Sequence, residues 1–178
     1  MMKTLILIPS RLSATRLPGK PLLKINGISV ISHVVKRAKE ASIGEVCVAT
    51  EDKEIVMDVE KNGGQAILTS NNPKTGTDRI YEALTKLGRT DIDLVMNLQG
   101  DEPLINLDDI RNLNNQMIKY KSSLGTLASS ITSKDLYRDQ NAVKVITEKN
   151  LNNSNFPEAK NFFRKSSDIY NNTYHHLG

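Results

Sequence analysis

The stretch that decides the fold is residues 4–21, TLILIPSRLSATRLPGKP. Its first part, Thr4 to Ile8, is a continuous aliphatic run that ends at Pro9, which is typical of a strand buried on both faces of a parallel sheet. A basic loop follows, and apolar residues from Ile28 onward recur at helical spacing. The order of strand, loop and helix predicts the first unit of an α/β fold.

The same alternation continues along the chain. Strands are predicted at 45–50, 66–69 and 94–98, and helices at about 52–62, 78–87 and 107–119. The predicted fold class is α/β, with a doubly wound, mostly parallel sheet, helices on both faces and a single domain over residues 1–178. In such a sheet ligands bind beyond the carboxyl ends of the strands, so we expect the loops after Ile8, Thr50 and Leu98 to face one crevice.

Composition and charge narrow the possible partners. With 38% hydrophobic and 25% charged residues, the 178-residue chain has the composition of a globular protein. The net charge of +4 is spread along the chain with acidic residues between the basic ones, which argues against a nucleic-acid partner. The apolar run at 5–8 is too short for a signal sequence or a membrane span, so we expect a cytoplasmic protein without a membrane partner. The single cysteine, Cys47, lies in an apolar stretch and is expected to be a buried, unreactive thiol.

The basic loop after the first strand carries Arg11, Arg16 and Lys20, with Gly19 shaping the backbone beside them. Three cations and free backbone N–H groups at a strand end suit a triphosphate, which concentrates negative charge in a small volume. A solvated basic loop is the alternative that charge alone leaves open. The loop is not a Walker A motif, because Lys20 is followed by Pro21 where a hydroxyl residue would hold magnesium.

A second candidate site is the stretch NLQGDEP at 97–103, where an aliphatic strand ends in an amide, a glycine and two carboxylates. Magnesium takes carboxylate and phosphate oxygens, and Asp101 is expected to project into the crevice. A turn in which Asp101 caps a helix is the alternative.

The stretch KTGTDR at 74–79 is expected to begin a helix, with Thr77 or Asp78 as its cap and Gly76 allowing a ligand to approach the backbone. Arg79 lies in the first turn of that helix, where a positive charge opposes the helix dipole. Its position therefore suggests a ligand contact.

The histidines do not form a metal site. His175 and His176 are adjacent, so in a strand they point to opposite faces and cannot chelate one zinc ion. His33 is expected to be a structural residue of the first helix. Beyond Asn150 the sequence is rich in Asn and has no regular apolar pattern.

In combination, seven stretches resemble a known family, the 3-deoxy-manno-octulosonate (Kdo) cytidylyltransferases, also called CMP-Kdo synthetases. They are IPSR at 8–11, TRLPGKP at 15–21, AT at 49–50, GTDR at 76–79, NLQGDEP at 97–103, NAVKV at 141–145 and HHLG at 175–178. The resemblance covers essentially the whole chain and implies a nucleotide-diphospho-sugar transferase-like fold.

The resemblance implies that CTP and Kdo react, with magnesium as cofactor, to give CMP-Kdo and pyrophosphate for lipopolysaccharide synthesis. On this basis Arg11, Arg16 and Lys20 would hold the triphosphate. The catalytic residues would be Lys20, Arg16 and Asp101, and Asp101 would also be the metal ligand.

The remaining assignments also come from the resemblance. Pro9, Ser10, Arg79 and Gln99 would line the cytosine and ribose pocket. His176 would approach the sugar acid, and Arg164 would be a partner for its carboxylate. A homodimer is the expected assembly.

Two alternatives are a cytidylyltransferase for another sugar acid, such as a sialic acid, and a catalytically impaired fragment that binds CTP. Members of the family usually continue beyond the HHLG motif. The chain is therefore expected to be C-terminally incomplete relative to the family, with weak or absent catalysis.

Overall fold

The computed structural model describes residues 2–13, 17–152, 155–165 and 170–177. Arg16 of the basic loop therefore lies outside the described residues. The chain divides into two compact units, residues 1–115 and 116–178. That the chain forms one nucleotidyltransferase domain over residues 1–178 stays a prediction.

The helices and strands of the described residues follow in chain order. The strands are β1 (Thr4–Ser10), β2 (Lys24–Ile25), β3 (Ile28–Ser29), β4 (Gly44–Thr50), β5 (Ala66–Leu68), β6 (Leu94–Asn97), β7 (Leu127–Ser130), β8 (Lys144–Thr147), β9 (Ala159–Phe163) and β10 (Thr173–Leu177). The α-helices are α1 (Val30–Ala41), α2 (Lys53–Lys61), α3 (Gly76–Leu87), α4 (Leu107–Tyr120) and α5 (Lys134–Arg138).

The first unit contains a parallel four-stranded sheet with the strand order β5-β4-β1-β6. Residues of α1, α2 and α4 pack in the hydrophobic cluster on one face of this sheet, and residues of α3 pack on the other. The prediction of a doubly wound α/β fold with helices on both faces is confirmed.

The central strand β1 explains why its sequence is aliphatic without interruption. Successive side chains of a strand point to opposite faces. Ile6 and Ile8 belong to the cluster with α1 and α2, whereas Leu5 and Leu7 belong to the cluster with α3. All four side chains are at most 2% exposed, so each contributes about 2 kcal/mol of hydrophobic stabilisation.

The second unit contains an antiparallel sheet with the order β7-β10-β8-β9, which the sequence pattern did not predict. Its strands are only four or five residues long. In β9 the first four residues are exposed, and every residue of β10 is half-buried, so neither strand shows the apolar alternation that marks a strand in sequence. The described part of the region after Asn150 therefore forms two strands although its sequence has no regular apolar pattern.

No helix in the described ranges is both long enough and apolar enough to span a bilayer.

Candidate nucleotide site

A cavity of about 340 Å³ lies in the first unit, beyond the carboxyl ends of β1 and β6. It brings together the seven described residues that were predicted to bind nucleotide or metal: Pro9, Ser10, Arg11, Lys20, Arg79, Gln99 and Asp101. Gly76, which was expected to let a ligand approach the backbone, also lines the cavity, and sequence reasoning missed five further lining residues, Pro21, Pro73, Lys74, Thr75 and Gly100. The loops after Ile8 and Leu98 therefore face one cavity as expected, whereas the described loop after Thr50 is not part of its lining. The role of each lining residue stays a prediction.

In the lining of the cavity, the backbone at Gly76 and at Gly100 packs closely against Pro9. A Cβ atom added at Gly100 would lie 2.9 Å from the carbonyl oxygen of Pro9, and one added at Gly76 would lie 3.3 Å from Pro9 Cγ. A side chain at Gly100 would therefore force the loop after β6 away from β1. The two glycines allow the loops of β1, β6 and α3 to meet at one place.

The basic loop is anchored at both of its described ends. Gly19 has a φ of +72°, which favours glycine, and its N–H donates to the Leu12 carbonyl at 2.9 Å. The N–H of Leu12 in turn donates to Asp52 Oδ2 at 2.8 Å. Asp52 follows β4, so the loop after the second predicted strand supports the loop that carries Lys20.

Lys20 and Asp101 form an ion pair across the cavity, with 2.8 Å between Nζ and Oδ2. The Lys20 side chain is 36% exposed and that of Asp101 is 55% exposed. Ion pairs this accessible contribute at most about 1 kcal/mol. Ligand phosphates and a cation can therefore replace each partner at small cost.

The donor set suits a magnesium ion that takes most of its ligands from the substrate. Among the residues that the structure describes, no three His, Cys, Asp or Glu side chains form a cluster that could enclose a metal. Magnesium, however, is commonly held by one or two carboxylates together with phosphates and water. Asp101 offers one accessible carboxylate beside the cations. Burial, with the charge of Asp101, raises the pKa of the adjacent Glu102.

The surroundings of Arg79 correct the argument that its position has no stabilising role. Its side chain is 4% exposed, and Nη2 forms an ion pair with Glu51 Oε2 at 2.6 Å. Nη1 also donates to the hydroxyl of Thr69 and to the carbonyl of Ser70. Tertiary contacts therefore offset the unfavourable helix dipole. A nucleotide contact by Arg79, which also lines the cavity, stays a prediction.

The N-cap of α3 also differs from the expectation. The cap is Thr75, whose hydroxyl accepts from the N–H of Asp78 at 3.1 Å, while Asp78 Oδ2 accepts from the N–H of Thr75 at 3.0 Å. The prediction was that either Thr77 or Asp78 is the cap, and Asp78 instead completes a capping box from the third helical position. Hydrogen bonds that the Asp78 carboxylate accepts from the hydroxyl of Thr75, at 2.7 Å, and from the Thr75 N–H lower the pKa of Asp78.

The hydroxyl of Ser10 marks a polar position without a protein partner. Ser10 is 7% exposed, and within the described part of the chain its Oγ has no hydrogen-bond partner. Buried hydroxyls are normally hydrogen-bonded, and exceptions often mark a site for a ligand or water. Arg11 and Lys74 add two exposed cations to the same cavity.

The two residues predicted to bind sugar lie in the second unit. His176 is in β10, with its Nε2 2.9 Å from Thr126 Oγ1 and its ring edge-on to Phe162 at 5.2 Å. Burial, with the charge of His175, lowers the pKa of His176. Arg164 follows β9 and donates from Nη1 to the Asn141 carbonyl at 2.8 Å. Sugar binding by His176 and Arg164 stays a prediction.

The fold is α/β with a cavity beyond the carboxyl ends of its parallel strands, and comparison with known proteins shows the family. A family profile described as "Cytidylyltransferase" matches residues 5–178. The chain is 42% identical to the 3-deoxy-manno-octulosonate cytidylyltransferase of Thermodesulfovibrio yellowstonii, over 99% of this chain and 74% of that protein. The chain belongs to the 3-deoxy-manno-octulosonate cytidylyltransferase family.

Coverage differs among the relatives. The chain is 45% identical to the enzyme of the same name from Nitrobacter winogradskyi, over 81% of this chain and 57% of the relative. It thus spans little more than half of that relative's length. It is also 39% identical to an 8-amino-3,8-dideoxy-manno-octulosonate cytidylyltransferase from Shewanella piezotolerans, over 99% of this chain and 73% of that protein.

Solved structures agree with the fold. The structure of CMP:2-keto-3-deoxy-manno-octonic acid synthetase complexed with CTP matches with a TM-score of 0.85 and 35% identity, over 99% of this chain and 72% of that one. A 4-diphosphocytidyl-2C-methyl-D-erythritol synthase from Anaerococcus prevotii matches with a TM-score of 0.58 at 15% identity, over 90% of this chain and 69% of that one. The second likeness concerns the fold alone.

Proposed function

We propose that the protein joins CTP and Kdo to give CMP-Kdo and pyrophosphate, and that it serves lipopolysaccharide synthesis. The observation that supports this most is the cavity in which Lys20, Asp101 and Gln99 lie together beyond the parallel strands. The likeness to a synthetase whose structure holds CTP supports the same proposal. A cytoplasmic location and a homodimer belong to the proposal as well.

In this proposal the cavity binds CTP through charge and through hydrogen bonds. Arg11 and Lys20 would hold the triphosphate, and the family resemblance gives Arg16 the same role. Pro9, Ser10, Arg79 and Gln99 would line the space for cytosine and ribose, since a pyrimidine is recognised by hydrogen bonds to its edge. The unpartnered hydroxyl of Ser10 supports a polar ligand atom at this position.

The proposed reaction is a displacement at phosphorus. The anomeric hydroxyl of the sugar acid attacks the α-phosphorus of CTP, and the bond to the pyrophosphate oxygen breaks. Negative charge accumulates on the phosphate oxygens and the leaving group, and Lys20 and Arg16 would stabilise it. Asp101 would hold a magnesium ion, which supplies further countercharge to the phosphate oxygens.

The sugar acid would be bound by residues of the second unit. A guanidinium binds a carboxylate through paired hydrogen bonds, which suits Arg164. His176 has a lowered pKa, so its ring is largely neutral near pH 7 and can accept or donate a hydrogen bond to a sugar hydroxyl.

The test measures pyrophosphate release and product mass with CTP, magnesium and three acceptors: Kdo, its 8-amino-3,8-dideoxy analogue and a sialic acid. CMP-Kdo is the expected main product. Lys20→Met is expected to lower kcat about 100-fold or more, because it removes a cation from the transition state. The matched control is Lys24→Met, an exposed lysine that does not line the cavity.

Three outcomes would count against the proposal. The name of the Shewanella relative suggests the 8-amino analogue as the strongest rival acceptor. A preference for this analogue would show that it, and not Kdo, is the substrate. CTP binding by calorimetry without any product would favour a nucleotide-binding protein. Unchanged turnover in Lys20→Met would show that the cavity is not the site of the reaction.

A further inference from the structure

Lys144 is a fully buried lysine in β8, with 0% of its surface exposed. Its Nζ donates to three backbone carbonyls, those of Asp139 at 2.7 Å, Ala142 at 2.8 Å and Arg164 at 2.6 Å. An ammonium group has three N–H donors, and burying it is costly unless each finds an acceptor. All three N–H donors of Lys144 therefore have acceptors, and their hydrogen bonds connect the loop before β8 to Arg164, the residue after β9.

The loop before β8 is itself fixed by Asp139. Its Oδ1 accepts from the N–H of Asn141 at 2.8 Å and from Asn141 Nδ2 at 3.1 Å. These hydrogen bonds lower the pKa of Asp139. We call residues 139–142 with Lys144 the lysine clamp.

The lysine clamp holds Arg164 at two points. Lys144 Nζ donates to the backbone carbonyl of Arg164, and Arg164 Nη1 donates to the carbonyl of Asn141 at 2.8 Å. The strand register pairs Lys144 with Phe163, so Arg164 is the first residue beyond the paired part of β9. The Arg164 side chain remains exposed although its backbone is fixed.

We propose that Lys144 is a positioning residue for the acceptor: through the lysine clamp it orients the guanidinium of Arg164 toward the carboxylate of an acidic sugar. This inference rests on the proposed function. Arginine binds a carboxylate best in a fixed bidentate geometry, so freedom at its backbone weakens the interaction. A lysine with a structural role only would support the fold without favouring either substrate.

The first test compares Lys144→Met with the wild-type chain in steady-state kinetics. The KM for the sugar acid is expected to rise about tenfold, the range of one charge-assisted hydrogen bond. The kcat at saturating sugar and the Kd for CTP are expected to change less than about twofold. Lys149→Met, an exposed lysine just after the same strand, is the matched control. Equal loss of kcat and of CTP affinity would overturn the proposal.

A double-mutant cycle tests whether Lys144 acts through Arg164. In an Arg164→Ala background, Lys144→Met is expected to raise the sugar KM by less than about twofold, because the group that the clamp positions is already gone. A further rise of about tenfold in that background would show that the two residues act independently.

Asp139→Ala provides a variant that leaves Lys144 in the core, in case Lys144→Met does not fold. It releases Asn141, so a rise of about threefold in the sugar KM is expected, with CTP affinity unchanged. An unchanged sugar KM in Asp139→Ala would then overturn the proposal.

Hydrogen exchange separates failure of this inference from failure of the proposed function. Lys144→Met is expected to speed amide exchange about tenfold or more at 139–142 and 160–165, and to leave residues 44–50 unchanged. A wild-type chain that makes no product from any acceptor would refute the proposed function, and the acceptor role of Lys144 with it. Unchanged exchange at 139–142 would refute the lysine clamp itself.

Discussion

At the scale of single residues, Arg79 shows that tertiary contacts, and not only a ligand, can compensate a cation at an unfavourable helix position. The sequence places a cation in the first turn of a helix, where the dipole disfavours it. In the folded chain the guanidinium is buried, and Glu51 compensates its charge at 2.6 Å. A buried ion pair is costly to break from one side, because the remaining charge stays desolvated.

Arg79→Met is therefore expected to lower the free energy of unfolding by about 3 kcal/mol, since it leaves Glu51 partly buried without its partner. Urea unfolding followed by circular dichroism at pH 7 measures the change. The control is Arg111→Met, because the Arg111 side chain is 42% exposed. There we expect a loss of about 1 kcal/mol or less.

The opposite result for Arg79 is equally informative. If Arg79→Met kept the stability of the wild-type chain and lost CTP affinity, Arg79 would be a ligand contact and the ion pair with Glu51 would be incidental.

At the scale of elements, the start of α3 is set by side-chain chemistry that sequence spacing left ambiguous. Thr75, Thr77 and Asp78 are all residue types that cap helices. The structure assigns the N-cap to Thr75 because Asp78 then reaches back to its N–H and satisfies a second free donor. The two extra residues of α3 place Gly76 against Pro9 in the cavity.

Thr75→Ala is expected to lower the free energy of unfolding by about 1 kcal/mol, because the first turn loses its cap. Thermal and urea unfolding without nucleotide measure it. Thr77→Ala changes a neighbouring residue of the same type inside the first turn, and a change within about 0.5 kcal/mol is expected there. A larger loss in Thr77→Ala than in Thr75→Ala would contradict the capping box.

At the scale of the whole molecule, several carboxylates depend on partners that exist only after folding. The hydroxyl and N–H of Ser70, with Lys86, lower the pKa of Glu82 from 4.5 to about 2. Arg89 lowers the pKa values of Glu45 and Asp91. A carboxylate with a lowered folded pKa contributes stability that is present above its unfolded pKa and is lost as the pH falls through the folded value.

Acid is therefore expected to destabilise the protein between about pH 4.5 and pH 2, the interval between the two pKa values of Glu82. Urea midpoints measured at steps from pH 7 to pH 3 are expected to fall most steeply at the acid end. Glu82→Gln should be less stable at pH 7 and should depend less on pH. Equal slopes for Glu82→Gln and the wild-type chain would show that Glu82 retains its ordinary pKa.

Local patterns in the sequence predicted the parallel sheet, its flanking helices and several of the residues that line the cavity. The aliphatic side chains of β1 are kept from water only when both faces of the strand are buried. The loops that follow parallel strands meet at one edge of the sheet. Proximity of Lys20 and Asp101 followed from that rule, although 81 positions separate them. Lys74 and Thr75 were missed because they precede a helix in sequence and reach the cavity only through the packing of Gly76 on Pro9.

Only the tertiary structure determined the contacts between residues that are distant in the sequence. The partner of Arg79 is 28 positions away, and Lys144 binds the carbonyl of Arg164 across 20 positions. The antiparallel sheet arises from short strands whose pairing, not their own periodicity, makes them regular. Sequence periodicity reports which residues avoid water, whereas the hydrogen-bond partners of a buried charge depend on which distant segments the packed chain brings beside it.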